Sequence, residues 1–159
     1  DVEGPLEIQV TNREGTSNMI TAISRRLDPA LFMFDPEGRK YAAAVHPDGT
    51  YLGKDGLFEG AATRPAKPGD IILIYGTGFG PTDPPTPAGL LVSSPARCGN
   101  PVVVRIGGEN APVLYAGKTG SGLYQFNVAV PELPDGDHEV RLYVNGFATP
   151  AGAFITVRR

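Results

Sequence analysis

The chain has 159 residues, 41% of them hydrophobic, and carries 14 Lys and Arg against 17 Asp and Glu for a net charge of −3. That length holds a full core without staples, since a domain of this size buries roughly 68–70% of its unfolded surface. The scattered basic residues exclude the clustered cationic surface that nucleic acid requires, and no apolar run approaches the roughly 20 residues of a membrane span.

Leu6-Glu7-Ile8-Gln9-Val10-Thr11 alternates apolar and polar residues, the mark of a half-buried strand. A turn over Asn12 to Gly15 leads to a second strand, Met19 to Ile23. A short apolar segment, Ala30 to Phe34, precedes a turn at Asp35-Pro36-Glu37-Gly38. Tyr41 to Val45 and Thr50-Tyr51-Leu52 form a hairpin closed at His46-Pro47-Asp48-Gly49. Residues 53–69 have little periodicity and are expected as loop. Ile71 to Tyr75, apolar on both faces, is the strongest strand and is expected at the centre of a sandwich.

Gly76-Thr77-Gly78-Phe79-Gly80 ends that strand, and its glycines suit a sharp turn made with positive φ. Phe79 is expected to fold back as a plug at the end of the sandwich. Residues 81–89 are too rich in Pro for helix or ladder and form an extended surface loop. Val102 to Ile106 and Pro112 to Tyr115 pair around a tight turn at Gly107-Gly108. Tyr124 to Val130 and Glu139 to Val144 alternate cleanly, and Ala153 to Val157 closes the chain. With 21 Gly and 16 Pro, 37 in all, almost no stretch is left uninterrupted for a helix. The fold class is all-β, and short strands between turn signals mean a sandwich or a barrel.

The segment Gly4 to Asn12 echoes Gly136 to Asn145, and each is followed by a Gly/Thr turn and a short strand. Residues 1–27 are therefore expected to be the terminal hairpin of a preceding repeat, or added strands of the main domain, with a complete sandwich over 28–159. The chain opens at Asp1 without Met, so a piece of a longer polypeptide in tandem array is expected.

The second part resembles the IPT/TIG class of immunoglobulin-like domains. The resemblance rests on Pro68-Gly69-Asp70, Gly76-Thr77-Gly78-Phe79-Gly80, Val104-Arg105-Ile106-Gly107-Gly108-Glu109-Asn110-Ala111, Phe126-Asn127-Val128-Ala129-Val130-Pro131, Gly136 and Ala151-Gly152-Ala153-Phe154. More narrowly, residues 28–159 resemble a C-terminal domain of unknown function that recurs in secreted proteins of Solibacter and other acidobacteria. The pieces that carry this are Arg64-Pro65-Ala66-Lys67-Pro68-Gly69, Tyr75 to Thr82 and Gly122 to Val128. The resemblance implies an immunoglobulin-like β-sandwich as the fold, and no catalytic residues. It implies a secreted or cell-surface spacer or binding module of the kind found in bacterial extracellular proteins; a few members of the wider class are dimerisation parts of DNA-binding factors.

Chemistry is sought residue by residue. The Gly76–Gly80 run shares its glycine spacing with a dinucleotide loop, but that loop needs a helix directly after it, and Pro81-Thr82-Asp83-Pro84-Pro85 cannot supply one. His46 and His138 are expected as exposed turn histidines. Ser93, Ser94 and Ser121 lack a nucleophile elbow. The carboxylate pairs Asp135/Asp137 and Asp48/Asp55 are explained as turn residues. The lone Cys98 is expected as a small structural residue in or beside a loop, its thiol unpaired within the chain.

No cofactor is expected. Calcium is the metal candidate, through the loop residues Asp35, Asp48, Asp55, Asp83, Asp135 and Asp137, although none forms a D-x-D-x-D-G loop. Tyr51, Tyr115 and Tyr143 are the candidate ligand contacts, as aromatics able to stack on a sugar ring in a chain without Trp. The expected function is a non-catalytic extracellular structural or binding module of a larger secreted protein, spacing or presenting domains or mediating protein contact or adhesion. The alternative is a carbohydrate-binding module attached to a secreted enzyme. Expected partners are neighbouring domains of the same polypeptide and another protein or a polysaccharide, with no nucleic acid and no membrane insertion.

Overall fold

The computed structural model describes residues 3–34, 40–87 and 89–159; the turn expected at Asp35 to Gly38 lies outside them. Among the described residues the regular structure is all strand: β1 (Gly4–Ile8), β2 (Thr11–Asn12), β3 (Gly15–Thr16), β4 (Ile20–Ser24), β5 (Ala30–Leu31), β6 (Ala44–Val45), β7 (Tyr51–Leu52), β8 (Thr63–Arg64) and β9 (Ile71–Thr77), then β10 (Thr82–Asp83), β11 (Ala96–Cys98), β12 (Val102–Ile106), β13 (Glu109–Ala111), β14 (Val113–Gly120), β15 (Leu123–Ala129), β16 (Gly136–Val144), β17 (Phe147–Ala148) and β18 (Phe154–Val157).

Two sheets pack face to face. The larger runs β10-β11-β14-β15-β9-β6-β7-β8, with β5 also pairing to β9. The smaller runs β13-β12-β16-β17, with β18 also on β16. The alternation in the sequence sets the contact between them. Tyr124, Phe126 and Val128 of β15 and Ile72 and Ile74 of β9 turn inward to meet Val140, Leu142 and Val144 of β16 and Val104 and Ile106 of β12. Of these, only Tyr124 keeps more than 1% of its surface exposed. Phe79 plugs the end of this core as expected, fully buried with its ring 4.4 Å from that of Phe126.

One side of the core is closed by backbone bonds to β18. Phe154 N–H donates to Lys40 O at 2.7 Å, Ala42 N–H to Phe154 O at 2.9 Å, and Ala66 N–H to Thr156 O at 2.9 Å. These bonds occupy amides that a bare strand edge would leave open.

β9 is central, with β15 on one edge and β5 and β6 on the other. Its outer residues are only partly covered, since Ile71 is 42% exposed: the larger sheet has one core face and one outer face, where an apolar run on both faces suggested two. Residues 53–69 are not all loop. β8 pairs in parallel with β7, and Ala66 bridges Val157; two-residue strands leave no periodicity to read. The Gly107-Gly108 turn is tight, with positive φ at both glycines and Ile106 paired with Glu109 across them, but the partner of β12 is β13 and not Pro112 to Tyr115: β14 crosses to the larger sheet, where it pairs with β15 and β11.

Residues 4–24 stand apart as a long hairpin. β1 pairs with β4 from Gly4↔Ser24 to Ile8↔Ile20, and β2 with β3 at Thr11↔Thr16 and Asn12↔Gly15. Asn12 Oδ1 accepts the Glu14 and Gly15 amides at 2.9 and 3.1 Å, which closes the tip. Among the described residues this arm pairs with no strand of the two sheets.

Candidate functional site

The arm is fixed at its root by the glycine run. Asp28 N–H donates to Gly78 O at 3.0 Å, and β5 pairs with β9 at Ala30↔Thr77 and Leu31↔Gly76. The approach is so close that a Cβ on Gly78 would stand 2.0 Å from the Asp28 carbonyl oxygen, and one on Gly76 2.6 Å from that of Ala30. Gly78 and Gly80 have the expected positive φ; Gly76 does not, and is required there for space alone.

Between this root and the sandwich lies a cleft of about 640 Å³ lined by Arg25, Arg26, Thr86, Lys118 and Tyr124 among others. Its floor is internally bonded. Lys118 Nζ donates to Thr86 Oγ1 at 2.9 Å and lies 5.6 Å from the Tyr124 ring centre, while the Tyr124 hydroxyl donates to Gly80 O. Burial, reinforced by the nearby Cys98, pushes the Tyr124 phenol up to about 12.

The three candidate tyrosines do not converge. Tyr51, 41% exposed, belongs to an edge-to-face trio with Phe34 and Phe58, at 5.3 and 5.8 Å between ring centres. Tyr115 lies on β14 with Arg97 over its ring at 5.5 Å; its hydroxyl is buried and bonded to nothing among the described residues. In the sheet order β7 and β14 are four strand steps apart, about 19 Å at roughly 4.8 Å per step. One sugar ring cannot touch both. Tyr143 is on the other sheet, on the outer face of β16.

Around Tyr143 the structure assembles what the sequence alone did not single out. β12 and β16 pair in a register that sets Val103 opposite Tyr143 and Arg105 opposite Arg141. Because Val104, Ile106, Val140 and Leu142 face the core, these four face outward. The Arg105 and Arg141 guanidinium carbons lie 5.7 and 6.0 Å from the Tyr143 ring centre. Arg105 Nε donates to Asn110 Oδ1 at 3.3 Å. Among the described residues neither arginine forms an ion pair with a carboxylate. Glu139, two residues along β16, accepts the Gly152 amide at 2.7 Å.

The aspartates named for calcium are dispersed onto separate partners. Asp48 accepts from Arg64 and from Thr50 N, both of which hold its carboxyl well below the ordinary range. Asp55 accepts from Arg158 at 2.8 Å and Asp135 from Arg159 N at 2.9 Å. Asp137 accepts from Lys40, from Tyr41 at 3.0 Å and from Thr156 at 2.7 Å. Asp83 lies on β10, opposite Arg97 in the register, and Asp35 is outside the described residues. Among the described residues no three His, Cys, Asp or Glu side chains gather as a metal ion requires.

Both histidine readings change: His138 is half-buried on β16, with Nε2 2.8 Å from Pro134 O. His46 is not an exposed turn residue: it is 1% exposed, with Nε2 3.2 Å from Arg64 O, because its turn folds onto β8. Cys98 is, as expected, a structural residue beside a loop: it ends β11 at the Gly99 bend, unpaired and packed against the core, and burial pushes its thiol up to about 11. No family model, curated protein or solved structure matches the chain.

Proposed function

We propose that the chain is a non-catalytic, immunoglobulin-like module of a larger secreted or cell-surface protein, one that spaces or presents neighbouring domains of the same polypeptide. The observation that carries this reading is the likeness of the arm to the module's own closing hairpin. β16 pairs with β17 at Tyr143↔Ala148 and Val144↔Phe147, and with β18 from Gly136↔Val157 to Glu139↔Phe154. Adding 132 to Thr11↔Thr16 and Asn12↔Gly15 gives the first two pairs, and Gly4 plus 132 gives Gly136. At the root the return strand is one residue longer, since Ser24 corresponds to Val157, an offset of 133. Both hairpins thus have a first limb of nine residues, 4–12 (β1 and β2) and 136–144 (β16), and a two-residue loop.

In the closing hairpin Val140 and Leu142 are fully buried; at the matching positions of the arm Ile8 and Val10 are 43% and 64% exposed. The arm therefore has the construction of a closing hairpin without the sandwich that covers one, which supports a tandem array. The secreted location rests on the family resemblance alone.

Amide hydrogen exchange tests the proposal. In the 159-residue chain, residues 4–24 should exchange far faster than residues 136–157. In the natural polypeptide extended upstream, the two hairpins should be protected alike. Fast exchange of the arm in the extended polypeptide refutes the tandem reading.

A further inference from the structure

We infer that the outer face of β12 and β16 is a binding site for an acidic polysaccharide, in which Arg105 and Arg141 take the carboxylate of a uronate ring that rests on Tyr143 and Val103.

The arginine pair is the starting point. Like charges directly opposite each other on neighbouring strands destabilise a sheet, and Arg105 and Arg141 are such a pair. In a chain of net charge −3 they have no carboxylate partner among the described residues. The Tyr143 ring offsets part of the repulsion, since a guanidinium beside an aromatic face is attracted by its quadrupole. The Arg141 Nε is buried and bonded to nothing among the described residues, so packing holds this side chain in place, not a protein acceptor. Two forked donors converging on one ring are a ready receptor for a planar oxyanion, which guanidinium groups bind in bidentate fashion.

The surroundings select the kind of anion. β16 lies between β12 and the β17–β18 return, and β13 pairs with β12 over Val104 to Ile106, so neither strand offers a free edge beside the two arginines for an incoming peptide to extend. Recognition here must come from side chains on a sheet surface. Tyr143 and Val103, the latter 48% exposed, supply an apolar footing for the C–H face of a sugar ring. Asn110, whose oxygen already accepts from Arg105, has its amide N–H groups left to donate to ring hydroxyls. A sugar bearing a carboxylate uses all of these groups; an acidic peptide uses only the charges.

The test is titration calorimetry of the 159-residue protein with polygalacturonate, fully methyl-esterified polygalacturonate, dextran and poly-L-glutamate. Polygalacturonate should bind, and esterification, which removes the charge and keeps the backbone, should weaken binding at least tenfold. Dextran and poly-L-glutamate should bind at least tenfold more weakly as well. Arg105→Gln, Arg141→Gln and Tyr143→Ala should each cost tenfold or more, whereas Arg158→Gln, which removes a cation on another surface, should change affinity less than twofold. The Arg105→Gln protein should melt no lower than the parent, because the change relieves a like-charge contact. Absence of polygalacturonate binding overturns the site, as does binding that esterification or the arginine changes leave unmoved. Equal binding of poly-L-glutamate refutes the sugar, and a fall of several degrees in the melting temperature of Arg105→Gln makes the pair structural and also overturns the proposal.

Discussion

Three alanine substitutions separate the two demands that the glycine run places on its backbone. At Gly60, φ is +75° and nothing lies within 4 Å of an added Cβ, so alanine meets only the left-handed backbone penalty of about 1–2 kcal/mol. Gly76 has an ordinary φ but a Cβ 2.6 Å from Ala30 O, so alanine meets only the clash, at about 1–3 kcal/mol for a forced backbone shift. Gly78 meets both, with φ +78° and 2.0 Å to Asp28 O. Moving away from that oxygen also strains the Asp28–Gly78 hydrogen bond, worth about 0.5–1.5 kcal/mol. The expected order of loss is Gly78→Ala above Gly76→Ala and Gly60→Ala, at about 3–6 kcal/mol for the first. A chain of this length loses about 2–4 °C in Tm per kcal/mol, so Gly60→Ala should fall by roughly 2–8 °C and Gly78→Ala by roughly 6–24 °C. Urea unfolding followed by tyrosine fluorescence and circular dichroism gives the free energies. If Gly78→Ala costs no more than Gly60→Ala, the close seating of residues 28–30 on the glycine run is wrong.

Two other outcomes follow from burial and pairing. Burial raises the Asp137 carboxyl, but hydrogen bonds from Lys40, Thr156 and Tyr41 outweigh it and hold the group below the ordinary value. A depressed carboxyl stabilises the fold above its unfolded value of about 3.9, and that contribution is lost as pH falls through the lower folded value. Lys40, raised chiefly by its bond to Asp137, contributes below its unfolded value and loses that contribution as pH rises through the folded one. Asp137→Asn should therefore lower Tm at pH 7 and converge on the parent near pH 2; a deficit that persists at pH 2 argues against the ion pair as its source. Cys98, with its thiol pushed up to about 11 by burial, should react with a disulfide reagent at pH 8 at least tenfold more slowly in the native protein than in guanidinium chloride. Equal rates would contradict its packing.

What the sequence made legible was local. The alternation of Tyr124 to Val130 and of Glu139 to Val144 is reproduced as buried and outer positions, and Gly107-Gly108 turns where two positive φ values are needed. Arg141 follows that alternation, opposite in face to Val140 and Leu142, whereas the apolar run Val102-Val103-Val104 left the face of Arg105 unread. The juxtaposition of the two arginines was not legible either, since it depends on the register between strands separated by some thirty residues, and a shift of one residue would break it. His46 was misread for a similar reason: a turn looks exposed in sequence whatever folds against it, and its burial comes from β8, a two-residue strand with no periodicity. The Phe34–Tyr51–Phe58 trio likewise joins three segments that no local pattern connects.

The arm sets a local preference against a tertiary need. A two-stranded hairpin alone is marginal in water, and the docking at Asp28 and Ala30 holds only its root. In the register of β1 and β4, Leu6, Ile8 and Ile20 share one face, and alternation carries Val10 onto it; they are 38%, 43%, 55% and 64% exposed in that order. Burying a whole side chain of this kind is worth about 1.5–3 kcal/mol, so covering four half-exposed ones stabilises the arm by about 4 kcal/mol. That is close to a thousandfold in its opening equilibrium, enough to turn a marginal hairpin into a fixed element. Of the matching positions in residues 136–157, Val140, Leu142 and Ala153 are buried in the core between the two sheets, and His138 is half-buried. A cover of the same construction satisfies the arm's face and its open edges together, whereas an apolar surface without strands would leave the edge amides unpaired.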